Sequence, residues 1–154
     1  MKKISLLVLL STLCVLFSSC SILLSSLTQK SDVEKLGDWY FEYEGIPDYY
    51  CLYFSFKDKN DEYVISDTEV DVRIVDDNNN ELFNRTISVS RGDFVYKKSI
   101  FSEKEKTLAE VRINSSDMKK GTSSSGVVYF TVHKKNTFSF KEQYIRVYSC
   151  LPVN

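Results

Sequence analysis

In the stretch Glu69-Val70-Asp71-Val72-Arg73-Ile74, every second residue is apolar and β-branched, and every residue between them is charged. A helix would scatter those apolar side chains around its axis, because its period is 3.6. An extended strand puts Val70, Val72 and Ile74 on one face and Glu69, Asp71 and Arg73 on the other. One half-buried strand is thus written directly in the chain. The run that follows, Asp76-Asp77-Asn78-Asn79-Asn80, is a turn, because Asn and Asp tolerate left-handed backbone and bond their own neighbours.

The same period of two extends in both directions. Upstream, Trp39, Phe41 and Tyr43 alternate with Tyr40, Glu42 and Glu44. Pro47 breaks that strand, and Leu52, Phe54 and Phe56 then alternate with Cys51, Tyr53 and Ser55. Downstream come Phe83, Ile87 and Val89, then Phe94 and Tyr96 beyond the Arg91-Gly92-Asp93 turn, then Ala109, Val111 and Ile113. Val128, Phe130 and Val132, then Phe138 and Phe140, and finally Ile145 and Val147 complete the series. A short helical turn is expected near Ser31–Leu36 and another at Ser116–Gly121. The spacing predicts eight or nine strands without long helices, an all-β antiparallel sandwich of immunoglobulin-like or fibronectin-like type. A lipocalin-like up-and-down barrel is the alternative, since hairpin-linked strands also fit a meander. The segments Glu62–Glu69 and Ser115–Gly126 are longer than hairpins need and are expected to cross between sheets.

The first twenty residues set the compartment. Lys2 and Lys3 form a basic start, Ile4 to Phe17 an uncharged apolar run, and Leu16-Phe17-Ser18-Ser19-Cys20 follows. This resembles a bacterial lipoprotein signal ending in a lipobox. The resemblance implies cleavage before Cys20, lipid on the Cys20 sulfur and amine, and attachment to the cell membrane or outer membrane with the domain outside. Ser21 after Cys20 resembles the pattern that permits transfer to an outer membrane. The competing reading is an uncleaved membrane helix over Ile4–Leu27, which is long enough to span a bilayer. The organisation that follows is a signal peptide at 1–19, a lipid-attached tether at 20–38 and a β-sandwich domain at 39–154. The strand pattern is similar to that of small immunoglobulin-like domains on bacterial surface lipoproteins.

Removing residues 1–19 leaves 135 residues with 18 basic against 21 acidic side chains, a net charge of −3. That balance supplies no electrostatic reason to bind nucleic acid. Ten Tyr and ten Phe favour strands, and only five Gly and two Pro argue against disorder.

Cys51 and Cys150 are the thiols left once Cys20 is acylated, and an extracytoplasmic compartment permits a disulfide between them. Two separate buried thiols are the other reading. Strand parity places Cys51 in phase with Tyr49 and Tyr53, and Cys150 in phase with Tyr144 and Tyr148. Tyr49, Tyr53, Tyr144 and Tyr148 are therefore a candidate binding face, since tyrosine offers rigid amphipathic contact area. The acidic runs Asp58–Glu62 and Asp76–Glu81 carry oxygen ligands but lack the EF-hand glycine and distal glutamate, and polar turns look the same. No metal or cofactor is expected. His133, the sole histidine, alternates outward with no nucleophile signature nearby, so it reads as a solvated strand residue. The expected function is therefore not enzymatic: a surface interaction or accessory module for a protein or glycan partner in the envelope. A barrel binding an apolar small molecule, and a small envelope hydrolase using unidentified acidic residues, are the alternatives.

Overall fold

The computed structural model describes residues 33–45, 48–98, 105–134 and 138–154. The signal, Cys20 and the tether up to residue 32 lie outside them. The strands are β1 (Lys35–Gly45), β2 (Asp48–Lys57), β3 (Tyr63–Val64), β4 (Thr68–Asp76), β5 (Glu81–Val89), β6 (Phe94–Lys98), β7 (Glu105–Asn114), β8 (Gly126–Lys134), β9 (Phe138–Ser139) and β10 (Gln143–Val147). They form two five-stranded antiparallel sheets. The first has the order β1-β2-β7-β6 with β3 beside β2, and the second has the order β10-β8-β4-β5 with β9 beside β8. The molecule is a β-sandwich. The lipocalin-like alternative fails because the ladder does not close: sheet one ends on β1 and β6, and sheet two on β10 and β5.

The strand order agrees with the immunoglobulin-like plan. If β1, β2, β4, β5, β6, β7, β8 and β10 are lettered A, B, C, C′, D, E, F and G, the sheets read ABED and GFCC′. Both long connections do cross between sheets: residues 65–67 lead from β3 to β4, and residues 115–125 lead from β7 to β8. A 3₁₀ turn at Arg91–Asp93 makes a third crossing, from β5 to β6.

Alternation explains the core. Leu52, Phe54 and Phe56 of β2 and Ala109, Val111 and Ile113 of β7 face Val70, Val72 and Ile74 of β4 and Val128, Phe130 and Val132 of β8. Each of these is 2 % exposed or less. Full burial of one such large side chain contributes about 1.5–3 kcal/mol. The ring of Phe54 on β2 stacks on that of Phe130 on β8 with centroids 6.4 Å apart, and Trp39 meets Phe130 edge-on at 6.3 Å.

Three local expectations differ. Lys35 and Leu36 belong to β1, and Val33 is already buried, so the strand begins ahead of Trp39 rather than after a helical turn. A bulge between Leu36 and Trp39 obscures the alternation there, and Ser55 holds it by accepting the Asp38 N–H at 2.9 Å. The helical turn expected at Ser116–Gly121 is a single 3₁₀ turn at Ser115–Asp117. The two-residue strand β3 is too short to show a period.

Candidate functional site: the outer face of the second sheet

The charged residues of the opening stretch lie on the outer face of the second sheet, because their partners fill the core. Register then assembles rows across strands. Tyr144 of β10 stands opposite Tyr129 of β8, Tyr129 opposite Arg73 of β4, and Arg73 opposite Asn84 of β5. The Arg73 guanidinium lies 4.6 Å from the centre of the Tyr129 ring, and no carboxylate among the described residues pairs with it. Tyr144 is 70 % exposed. Farther along, Tyr148 is 72 % exposed and lies under Arg146, which pairs with Asp77 at 2.6 Å. The result is an open surface of tyrosine and arginine.

A second constellation lies on the same face, toward the other end of the strands. Thr86 and Asp71 are directly opposed across β5 and β4, and His133 and Ser139 across β8 and β9. The Thr86 hydroxyl donates to Asp71 Oδ1 at 2.6 Å, His133 Nε2 meets Asp71 Oδ2 at 2.7 Å, and His133 Nδ1 meets Ser139 Oγ at 2.6 Å. The hydrogen bonds from Thr86 and His133 hold the Asp71 carboxyl below its usual range, so it stays ionised and only accepts. Nε2 of a neutral ring therefore carries the proton, and Nδ1 accepts from the Ser139 hydroxyl. Sequence reading placed His133 outward but not its partners. Asp71 is 62 residues away and Ser139 six, and no local motif links them.

The four candidate tyrosines do not form one patch. Tyr144 belongs to the second sheet and Tyr148 follows it, whereas Tyr49 and Tyr53 lie on β2 of the first. Tyr53 is 2 % exposed although it points away from the core. Tyr40 of β1 stacks on it at 4.8 Å, and Lys97 of β6 holds its ammonium 3.8 Å from its ring centre while pairing with Glu42. Cys51, Tyr53 and Leu108 thus form a small second core outside the sheet, with Tyr40, Tyr49 and Val95 packed around it.

Nor are the two candidate cysteines brought together; both thiols are free. Cys51 Sγ faces Glu110 at 3.6 Å on the outer side, and burial, helped by the Glu110 charge, pushes its thiol up to about 11. Cys150 packs against the main core, where Tyr50, the neighbour of Cys51 that points to the opposite face, donates from its hydroxyl to the Cys150 carbonyl at 2.7 Å.

The acidic turns have other employment. Asp58 accepts the N–H groups of Asn60 and Glu62, and Asp61 pairs with Lys35 and Lys57. Asp93 of the Arg91-Gly92-Asp93 turn accepts from Ser90 N–H and Oγ, both at 2.7 Å. Beside that turn, β6 pairs only as far as Ala109 of β7, and among the described residues Glu110–Asn114 have no strand on that side. The cleft there, of about 390 Å³, is lined by Ile87, Val89, Asp93, Glu110 and Arg112 among others.

The chain matches no family model, no curated protein and no solved structure.

Proposed function

We propose that this chain is an extracytoplasmic lipoprotein, tied to the cell membrane or outer membrane through lipid on Cys20, whose sandwich binds a protein or glycan partner of the envelope. The observation that supports the binding reading is the row Tyr144–Tyr129–Arg73 with Tyr148 beside it. Large tyrosines stand most of the way into solvent, next to a cation that has no acidic partner among the described residues. Tyrosine and arginine are enriched among the few residues that dominate binding energy at interfaces, and tyrosine offers broad, rigid contact area for little ordering cost. Anchoring rests on the basic, apolar and small-residue order of Lys2 to Cys20.

Each half has its own test. Cys20→Ser is expected to abolish labelling of the protein by radioactive palmitate in growing cells; labelling that persists refutes the lipid anchor. For the binding face, photo-crosslinking in intact cells is expected to capture one partner. Tyr144→Ala/Tyr148→Ala should weaken that capture about 30-fold, the effect of a hot-spot loss near 2 kcal/mol. Tyr96→Ala, which removes a tyrosine 66 % exposed on the first sheet, should leave it intact. Equal capture by the double variant overturns the assignment of this face.

A further inference from the structure

We infer that Ser139 is an activated nucleophile toward carboxylic esters, an acyl-transfer activity that goes beyond the binding role proposed above. The inference rests on the chain of contacts from Thr86 through Asp71 and His133 to Ser139. Each member has the part that nucleophilic catalysis by a hydroxyl requires. Asp71 is ionised and clamped from its other oxygen by Thr86. It fixes the imidazole tautomer, and the free Nδ1 lone pair points at the serine hydroxyl at 2.6 Å. The two nitrogens are used in the opposite sense from the familiar serine proteases, but the proton path is the same.

The four residues sit on four adjacent strands rather than on loops, so the sheet ladder sets their spacing. The backbone behind His133 is pinned as well: Thr68, 4 % exposed, donates from its hydroxyl to the His133 carbonyl. Glu69 stands directly across from His133 on β4.

In the reaction, Ser139 Oγ bonds to the ester carbonyl carbon while its proton passes to His133 Nδ1. The bond from that carbon to the leaving oxygen then breaks, and the imidazolium returns the proton to the departing alcohol. Water attacks the acyl-serine in the same way, giving a carboxylic acid and restoring Ser139. The site lies on an open sheet face, so it suits small or flexible acyl groups delivered from solvent, and acylation is expected to outrun turnover.

The test uses the full-length protein in detergent and a fluorophosphonate probe, read by intact mass and peptide mapping. One adduct is expected, on Ser139. Ser139→Ala should abolish it, and His133→Gln and Asp71→Asn should form it more slowly by roughly 100-fold or more. p-Nitrophenyl acetate should give a burst of one equivalent that Ser139→Ala lacks. Labelling of Ser139→Ala equal to wild type, or labelling of His133→Gln at the wild-type rate, overturns the inference. These readouts do not depend on the Tyr144 face, and Tyr96→Ala on the first sheet should label normally.

Discussion

Replacing Phe130 by alanine is expected to cost about 3–5 kcal/mol, the range for deleting a fully enclosed phenylalanine ring. Phe130 is 1 % exposed and bridges the two sheets, with Phe54 of β2 stacked on one side and Trp39 of β1 edge-on. In antibody domains of this strand order a disulfide joins strands B and F across the core, packed against a tryptophan. This chain has no cysteine on β8, and its β2 cysteine faces outward. Phe54 and Phe130 occupy the same two strands and supply the cross-sheet contact through burial and dispersion. A domain of this size holds only about 5–15 kcal/mol in total, so the variant stands close to unfolding. Urea titration should show the midpoint falling by roughly 2 M with little change in slope. A loss below about 1 kcal/mol would mean that the two sheets are not pinned there.

The second large effect falls on Asp76, at the end of β4. Only 2 % exposed, it accepts hydrogen bonds from the N–H groups of Asn78, Asn80, Thr122 and Ser123, from the Asn80 side-chain amide and from the Thr122 hydroxyl. It thereby ties the β4–β5 turn to the loop that leads into β8. The approach is so close that a Cβ on Gly121 would lie 2.8 Å from its Oδ2. Burial alone would raise the carboxyl's pKa, but the hydrogen bonds from Asn80 and Thr122 outweigh it and hold the group far below the usual carboxylate range.

Unfolded, the same carboxyl titrates near about 3.9. Its contribution is therefore complete above that pH, and it is lost as pH falls toward the depressed folded value. Asp76→Ala is expected to lower Tm at neutral pH by on the order of 10 °C, because several buried donors lose their acceptor at once. Wild type should lose Tm steeply below pH 4, and the variant much less so. Parallel Tm profiles for the two proteins between pH 2 and 5 would show that this carboxylate does not drive acid unfolding.

These two residues differ in how far the sequence announces them. Phe130 sits in a run whose alternation is unbroken, Val128-Tyr129-Phe130-Thr131-Val132, so its inward direction follows from period alone. Asp76 reads as one acid in a polar turn. Its donors Thr122 and Ser123 come from a loop 46 and 47 residues on, and their approach depends on how two connections fold over one end of the sandwich. The tyrosines repeat the lesson. Parity correctly turned Tyr53 away from the core, yet Tyr40 and Lys97 from neighbouring strands bury it, whereas Tyr144 meets no such cover. Cys51 and Cys150 share a parity with tyrosines in their own strands, but parity is defined within a strand. It does not say which sheet that strand joins.

By itself the sequence determined most of the strands, their inward faces and most of the turns, because a period of two and the backbone preferences of Asn, Asp, Gly and Pro are local properties. It also determined the basic-apolar-cysteine start on which the proposed anchoring rests. Only the tertiary structure decided the order of strands in each sheet, the separation of Tyr49 and Tyr53 from Tyr144 and Tyr148, the open sandwich in place of a closed barrel, and the meeting of Asp71, His133 and Ser139. Each of these depends on which strand lies beside which. That choice is made by the joint burial of two apolar faces, a sum over residues far apart in the chain, and no short stretch of residues encodes it.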